Sequence, residues 1–374
     1  MNKVAIFPGQ LPHVGGGRIL IDTIVSNLCN QTQSQIDLYL CEKPQSQQQN
    51  LSGKVKYLCQ RETAKHIFFQ QRNNLWKETL LNEKIDFVLN LSPFEFLDEN
   101  TPFIHFIWDL NHRLHPWYPE FNHDGDWEFR ERQLQRILPR ASRIVVGTET
   151  GKNQIVKFYA VDEKNVKVIP LTFFPREDRN EQCKLRLPQN YIFYPAQFWP
   201  HKNHLNLLRA LNLINKKNGE PLDLVLCGTD QSNLSAARKL SEDLGLADKV
   251  HFYGYVSDGD MIRIYQKAAA LVYPSLFGPD NMPPLEAFYF GCPVASASIS
   301  GVKDQLEDAA VYFDPFDPVD IAEKVVELIS NPVLKNTLVA KGRKIAESRM
   351  PTNYVNKIYD TIKELITEKM CWKP

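Results

Sequence analysis

A chain of 374 residues divides into about two or three domains of the usual ~100 to 200 residues, which excludes a single small binding module. Apolar residues make up 43% and charged residues 24%, so a sizeable core can form and wholesale disorder, collagen and disulfide-stapled scaffolds are excluded. With 44 Lys+Arg against 44 Asp+Glu the formal charge is zero, whereas a dedicated nucleic-acid binder needs a basic excess.

Short runs of Val, Ile, Phe and Tyr alternate along the chain with stretches of helical period, the pattern of parallel sheets wound with helices. In the first half, strands are expected at 3–7, 37–41, 55–59, 87–91, 103–108, 144–147 and 166–169. Helices are expected at 18–29, 65–81 and 127–138, and a further one is capped by Thr148 and runs toward Tyr159. Periodicity fails at 170–188, a polar, charged segment flanked by prolines that reads as an interdomain linker. The pattern restarts with strands at 191–196, 223–227, 250–252, 271–273, 293–297 and 311–313. Pro318, Pro332 and Pro351 suit the first turns of the last helices. The final helix, with Tyr354, Ile358, Ile362 and Ile366 on one face, has to dock. The expected organisation is a Rossmann-like domain over 1–175, a second over 188–350, and a helix at 351–374 that packs back on the first.

The seven cysteines (Cys29, Cys41, Cys59, Cys183, Cys227, Cys292 and Cys371) are scattered and never form C-x-x-C, which suits free thiols in a reducing compartment and argues against structural zinc. The apolar run Val4 to Phe7 is too short for a signal peptide, and no run approaches the ~20 apolar residues of a membrane span. The cytoplasm is the expected location.

Three loops carry candidate chemistry. VAIFPGQLPHVGGGR places Gly15, Gly16 and Gly17 between the first strand and the first helix, at the carboxyl end of a strand, where open parallel sheets bind ligands and glycine lets backbone come close. Amides at that helix start would favour an anion by ~0.3 to 1 kcal/mol; the alternative is a flexible turn. The spacing is neither G-x-G-x-x-G nor a P-loop, which disfavours a nicotinamide enzyme and a P-loop nucleotidase. In FYPAQFWPHKNHLNLLRAL, Gln197, Trp199, His201, Lys202 and Asn203 fill the turn between a strand and an amphipathic helix. A lysine at a helix start opposes the helix dipole unless a phosphate or carboxylate joins the two; the alternative is a solvated lysine beside a capping Asn203. In LVYPSLFGPDNMPPLEAFYFGCPVASA, Pro283 and Pro284 stiffen the entrance to a helix with Glu286 expected in its first turn. The amides around Asn281, Met282, Leu285 and Glu286 would form a positive end. Glu286 is either a helix-start carboxylate, worth at most about 1 kcal/mol, or a bidentate acceptor for vicinal sugar hydroxyls.

The glycine loop, the Q-x-x-x-x-K-N loop and the P-S-x-x-x-x-x-x-x-P-P-L-E-A-x-x-x-G-x-P-V stretch, followed by ISG and FDPFDP, together resemble a family 4 retaining glycosyltransferase of GT-B architecture. The resemblance covers nearly the whole chain and is strongest over 191–318. It implies an α/β fold of two Rossmann-like domains facing across a cleft, with the C-terminal helix crossing back to the first. It places the donor diphosphate on Lys202 and on amides near Met282 and Leu285, the ribose on Glu286, and the base beside the Gly254, Tyr255, Val256 turn. Asn203, Gly228 and Asn281 become further donor contacts, and WDLNHRLHPWYPEF resembles the H-D-L loop that faces the donor sugar. The sequence departs from the family at three places. Gln197 stands where the family has arginine. The first of its paired glutamates falls on Gly278, leaving Asp280, two positions along, as the candidate replacement. Trp108 takes the histidine position of the H-D-L loop, leaving Asp109, with His112 and His115 as candidate sugar or acceptor contacts.

Sugar transfer from a nucleotide diphosphate requires stabilising charge on the leaving phosphate, a task that falls to Lys202 and helix-end amides when no metal takes part. No opposed carboxylate pair stands out, and the resemblance favours a same-face route, in which the departing phosphate oxygen takes the acceptor proton, over a covalent intermediate. The pairs Asp124 with Asp126 and Asp258 with Asp260 have a spacing that suits Mg²⁺ or Mn²⁺, but they read better as a polar turn and a helix cap. No metal or other cofactor is expected. His66, His105 and His251 read as ordinary polar or packed residues, and Trp108, Trp117 and Trp199 as candidates to line the cleft.

The leading reading is a cytoplasmic, metal-independent glycosyltransferase that extends a surface polysaccharide or lipid-linked glycan, the acceptor following from the resemblance alone. A lipid-linked acceptor would bring a peripheral contact with the inner face of the membrane, which no basic amphipathic stretch compels. The alternatives are a catalytically impaired GT-B protein that binds nucleotide sugar or a partner, motivated by Gly278 and Gln197, and a nucleotide-sugar epimerase. No nucleic-acid partner is expected.

Overall fold

The computed structural model describes residues 2–9, 16–31, 36–41, 56–58, 69–94, 100–122, 125–176, 185–217 and 221–371. Gly15, His66, Asp124, Cys59 and Cys183 lie outside the described residues. The chain divides into two units: Met1–Arg113 with Gly125–Phe174 and Pro351–Pro374, and Leu114–Asp124 with Pro175–Met350.

The first unit contains β1 (Asn2–Phe7), β2 (Ile36–Cys41), β3 (Lys56–Leu58), β4 (Phe87–Asn90), β5 (Phe103–Phe106), β6 (Arg143–Val146) and β7 (Val166–Val168). They pair in parallel in the order β3-β2-β1-β4-β5-β6-β7 among the described residues. Strands β4, β5 and β6 are buried along their whole length, which is why they read as continuous apolar runs and not as an alternation. Helical residues Trp76, Leu80, Leu134 and Ile155 pack with Val88 and Ile144 to form the core of this unit.

The second unit repeats the plan with β8 (Tyr191–Pro195), β9 (Asp223–Cys227), β10 (Val250–Gly254), β11 (Ala270–Tyr273), β12 (Val294–Ala297) and β13 (Ala310–Phe313). Their order is β10-β9-β8-β11-β12-β13, all parallel, so the build direction reverses between β8 and β11. Leu207, Leu211 and Val325 from its helices bury against Ile192, Leu224 and Val272 of the sheet.

The helix starts follow local chemistry. Thr148 Oγ1 accepts from Gly151 N–H at 3.0 Å to open Glu149–Tyr159, and Ser257 Oγ accepts from Asp260 N–H at 3.2 Å to open Asp258–Lys267. Pro318, Pro332 and Pro351 each stand first in their helices. The last, Pro351–Met370, belongs to the first unit, where Tyr359 Oη donates to Leu28 O at 2.7 Å and Lys369 pairs with Asp86 at 2.6 Å. Its buried face is Tyr354, Ile358, Ile362 and Leu365, with Ile366 only half-buried, because steps of four residues overshoot a 3.6-residue turn. Leu114–Asp124, expected within the first domain, groups with the second unit instead. The cause is aromatic packing: His115, Tyr118 and Phe121 all gather on Phe277.

Each unit buries a neutral histidine. His105 Nε2 lies 3.2 Å from Pro93 O, which can only accept, so Nδ1 takes the 2.9 Å hydrogen bond from Asn90 Nδ2. Burial pushes its pKa down to about 4. His204 stacks on Phe198 at 4.2 Å, and burial, with Lys202 nearby, pushes it down to about 3. The unfolded chain takes up both protons first, so stability is full above about pH 6.5 and is lost as pH falls toward those native values. Unfolding free energies from urea titrations between pH 7.5 and 4.5 are expected to fall below pH ~6.5, by about 1 kcal/mol per pH unit for each histidine. A profile flat across that range would contradict the assignment.

Candidate functional site

An open parallel sheet binds ligands outside the carboxyl ends of its strands where the strand order reverses. In the second unit that point lies between β8 and β11. Lys202 follows β8 and Asn281 follows β11, and Tyr273, the last residue of β11, joins them. Lys202 Nζ lies 3.4 Å from Tyr273 Oη and 5.6 Å from the centre of its ring, and Tyr273 Oη donates to Asn281 Oδ1 at 2.8 Å. Burial pushes the Tyr273 phenol up, so it stays protonated and remains a donor. Asn203 does not cap the helix His204–Lys217. It sits in the left-handed region at φ 58°, and its side-chain amide donates to Pro274 O at 3.0 Å and Pro315 O at 2.7 Å, tying the lysine loop to the loops after β11 and β13.

Asn281 is the N-cap of Met282–Phe290, yet its side chain makes no capping bond. Its Oδ1 is taken by Tyr273, and its Nδ2 donates to Gly278 O at 2.8 Å. Gln305 grips the backbone of Asn281 from both sides, accepting from its N–H at 3.0 Å and donating to its carbonyl at 2.9 Å. That carbonyl is the one to which Leu285 N–H would otherwise donate. Because Pro283 and Pro284 have no N–H, Met282 and Leu285 supply the backbone donors of the first turn.

Glu286 is the fifth residue of the helix, so it is not the first-turn carboxylate expected. It is 4% exposed. Tyr265 Oη donates to its Oε2 at 2.8 Å, and Arg176 Nη2 lies 3.4 Å from its Oε1 while also pairing with Asp258. Burial pushes the Glu286 carboxyl above its ordinary range, and Arg176 opposes that shift. Gly278 has φ +111°, a conformation that side chains rarely adopt, so the loop as built has no place there for the family's first glutamate. Asp280 lies within electrostatic reach of Arg349. The Gln197 amide donates to Thr229 Oγ1 at 3.1 Å, and its carbonyl accepts from the Trp199 indole at 3.3 Å. A Cβ at Gly228 would stand 2.0 Å from Ala196 O, so the turn after β9 rests directly on backbone after β8. Val256 is buried beside an exposed Tyr255.

In the first unit Gly16 and Gly17 begin the helix Gly16–Asn30, and Trp108 lies so close that a Cβ at Gly17 would be 2.7 Å from its ring. Asp109 Oδ1 accepts from Asn111 N–H at 2.9 Å. His112 is fully buried, edge-on to Phe94 and with Nε2 3.4 Å from Glu131 Oε2. Of the residues singled out in the sequence, Lys202, Asn281 and Met282 thus come together at the reversal point, with Gln197, Asn203, Gly228, Val256, Asp280, Leu285 and Glu286 in the same unit. Gly17 and Trp108 come together in the other. Tyr273, Gln305, Tyr265 and Arg176 carry the connections, and no local pattern in the sequence marks them.

Among the described residues no group of three or more His, Cys, Asp or Glu side chains is placed to hold a metal ion. Asp258 is engaged by Arg176 and Asp260 by Ser257. No described helix is long and apolar enough to cross a membrane.

Residues 175–345 match the family described as glycosyl transferases group 1. An O-antigen chain mannosyltransferase, RfbU, of Salmonella typhimurium is 30% identical over 186 residues, 49% of this chain and 50% of that protein; the chain thus spans about half the length of this relative. Sucrose-phosphate synthase from Thermosynechococcus elongatus superposes with a TM-score of 0.76 at 16% identity, over 98% of this chain and 100% of the other. Anabaena HepE, solved with UDP and glucose, superposes with a TM-score of 0.74 at 16% identity, over 97% and 100%.

Removing Arg176 leaves the buried Glu286 carboxyl without its cation, and breaking a buried pair costs about 3 to 5 kcal/mol. Urea denaturation of Arg176→Met is expected to show a loss of that order. The double variant Arg176→Met, Glu286→Gln should recover most of it, and strictly additive losses would refute the coupling.

Proposed function

We propose that the chain, which has the GT-B fold and whose residues 175–345 match the glycosyl transferases group 1 model, is a retaining glycosyltransferase moving a sugar from a nucleotide-diphosphate donor to a glycan or lipid-linked acceptor. The observation that carries this reading is the Lys202–Tyr273–Asn281 chain, which sets an ammonium beside an uncapped helix amino end at the reversal point of the sheet. A pyrophosphate there meets a full positive charge, the amides of Met282 and Leu285 and the dipole of the helix. These donors are fixed before the ligand arrives, so charge growing on the leaving phosphate is stabilised without reorganisation. Divalent ions are then not required, and the departing phosphate oxygen takes the acceptor proton on the same face. Glu286, held between Tyr265 and Arg176, would take the ribose in exchange for one of those partners, and the turn at Gly228, Gly254 and Val256 flanks the base.

Synthesis of a surface polysaccharide is the setting favoured by relatives such as the O-antigen mannosyltransferase. It makes GDP-mannose the first donor to try, with UDP-glucose second because HepE was solved with UDP and glucose.

Transfer and donor hydrolysis measured across a panel of nucleotide sugars are expected to drop roughly 10²- to 10³-fold in Lys202→Ala, the usual consequence of losing one preorganised donor. Equal background turnover in wild type, Lys202→Ala and Glu286→Ala across the whole panel would overturn the enzyme reading in favour of an impaired binding protein. Isomerised free donor formed without acceptor would point instead to an epimerase.

A further inference from the structure

Phe277, the residue before Gly278, stacks with two imidazoles: His115 at 4.8 Å and 13° between planes, and His201 at 4.3 Å and 12°. Tyr118 meets the same ring edge-on at 4.8 Å. His201 is also fixed along its other edges. Glu120 Oε1 accepts from both its backbone N–H at 3.0 Å and its Nδ1 at 2.7 Å, and its carbonyl accepts from Leu276 N–H at 2.8 Å. A carboxylate only accepts, so the ring proton sits on Nδ1 and Nε2 carries the lone pair. Among the described residues nothing bonds to Nε2. Burial, with Lys202 alongside, pushes the ring's pKa down, which keeps that lone pair available at neutral pH.

A lone pair repels phosphate oxygens, so this nitrogen is no ligand for the diphosphate, although it belongs to the residue just before Lys202. It takes a hydrogen-bond donor, and on a nucleotide sugar the donors nearest the diphosphate are hydroxyls of the sugar ring. We infer that His201 Nε2 accepts a hydrogen bond from a hydroxyl of the transferred sugar, and that Glu120 is the positioning residue that holds the ring in its accepting tautomer. Glu120 acts through the ring and not on the sugar, because its second oxygen is buried out of reach of a ligand. The inference rests on the nucleotide-sugar reading above and deepens it, assigning sugar recognition beside a loop where Gly278 offers no carboxylate.

Isothermal titration with GDP, GDP-mannose, UDP and UDP-glucose tests it. His201→Phe keeps a ring against Phe277 and loses Nε2. It is expected to bind the nucleoside diphosphate within about twofold of wild type and the matching nucleotide sugar at least tenfold more weakly. Glu120→Ala removes the acceptor that keeps the proton on Nδ1, so the ring is no longer held in its accepting tautomer, and a smaller loss of the same selective kind should follow. Where His201→Phe does not fold, Glu120→Ala decides alone. Diphosphate and nucleotide sugar weakened equally, or neither weakened, would overturn the inference and leave the pair as a prop for the lysine loop. Wild type that binds none of the four compounds would overturn the nucleotide-sugar reading itself.

Discussion

A helix that begins with Asn would ordinarily close its own amino end with that side chain. Here the Asn281 side chain is pulled away by Tyr273 and by Gly278 O, and Gln305 holds the backbone on either side of its Cα. The start of Met282–Phe290 is therefore held open by four hydrogen bonds that lead elsewhere, and the same Tyr273 brings Lys202 to it. Tyr273 thus joins the lysine to the helix start through neutral hydrogen-bonding groups. The price is an uncapped helix, a local cost of about 1 kcal/mol that a bound anion would offset.

Glu286, Tyr265, Arg176 and Asp258 form a second network deeper in the same unit. It joins the segment that leads out of the first unit, through Arg176, to the middle of the Met282–Phe290 helix and to the start of the next helix upstream, Asp258–Lys267. A buried carboxyl beside a guanidinium is a poor source of net stability but a strong constraint on geometry. It fixes how the linker enters the unit and how the helix with the open amino end is turned.

Much of the architecture is legible in residue order because parallel strands buried on both faces leave continuous apolar runs. The central strands β1, β4, β5, β6, β8, β11 and β12 lie where such runs are, and Thr148, Ser257 and the three prolines mark helix starts through their own chemistry. The loops that carry Lys202 and Asn281 are legible too, since both follow apolar runs and lead into helical periods. Glu286 sits a turn deeper than its sequence suggests. Pro283 and Pro284 read as an entrance, whereas proline fits within the first helical turn and here occupies its second and third positions. Tyr273, Gln305, Arg176 and Glu120 carry no such signal, because each meets its partner through the path of the chain in space and not through spacing along it. A tyrosine closing a strand and a glutamine in a short helix bear no local mark of what they hold. The grouping of Leu114–Asp124 with the second unit is hidden for the same reason, since it depends on Phe277, more than a hundred residues later.

That grouping has an effect on how the polypeptide can be made and dissected. The backbone passes between the units at 113/114, 124/125, 174/175 and 350/351, so neither is a single uninterrupted piece. During synthesis the first unit lacks its closing helix until residues 351–370 have left the ribosome, by which time the whole second unit has already emerged. A gene fragment ending near residue 175 would therefore encode a sheet without its last covering helix, and one starting there would lack the aromatic plug for Phe277.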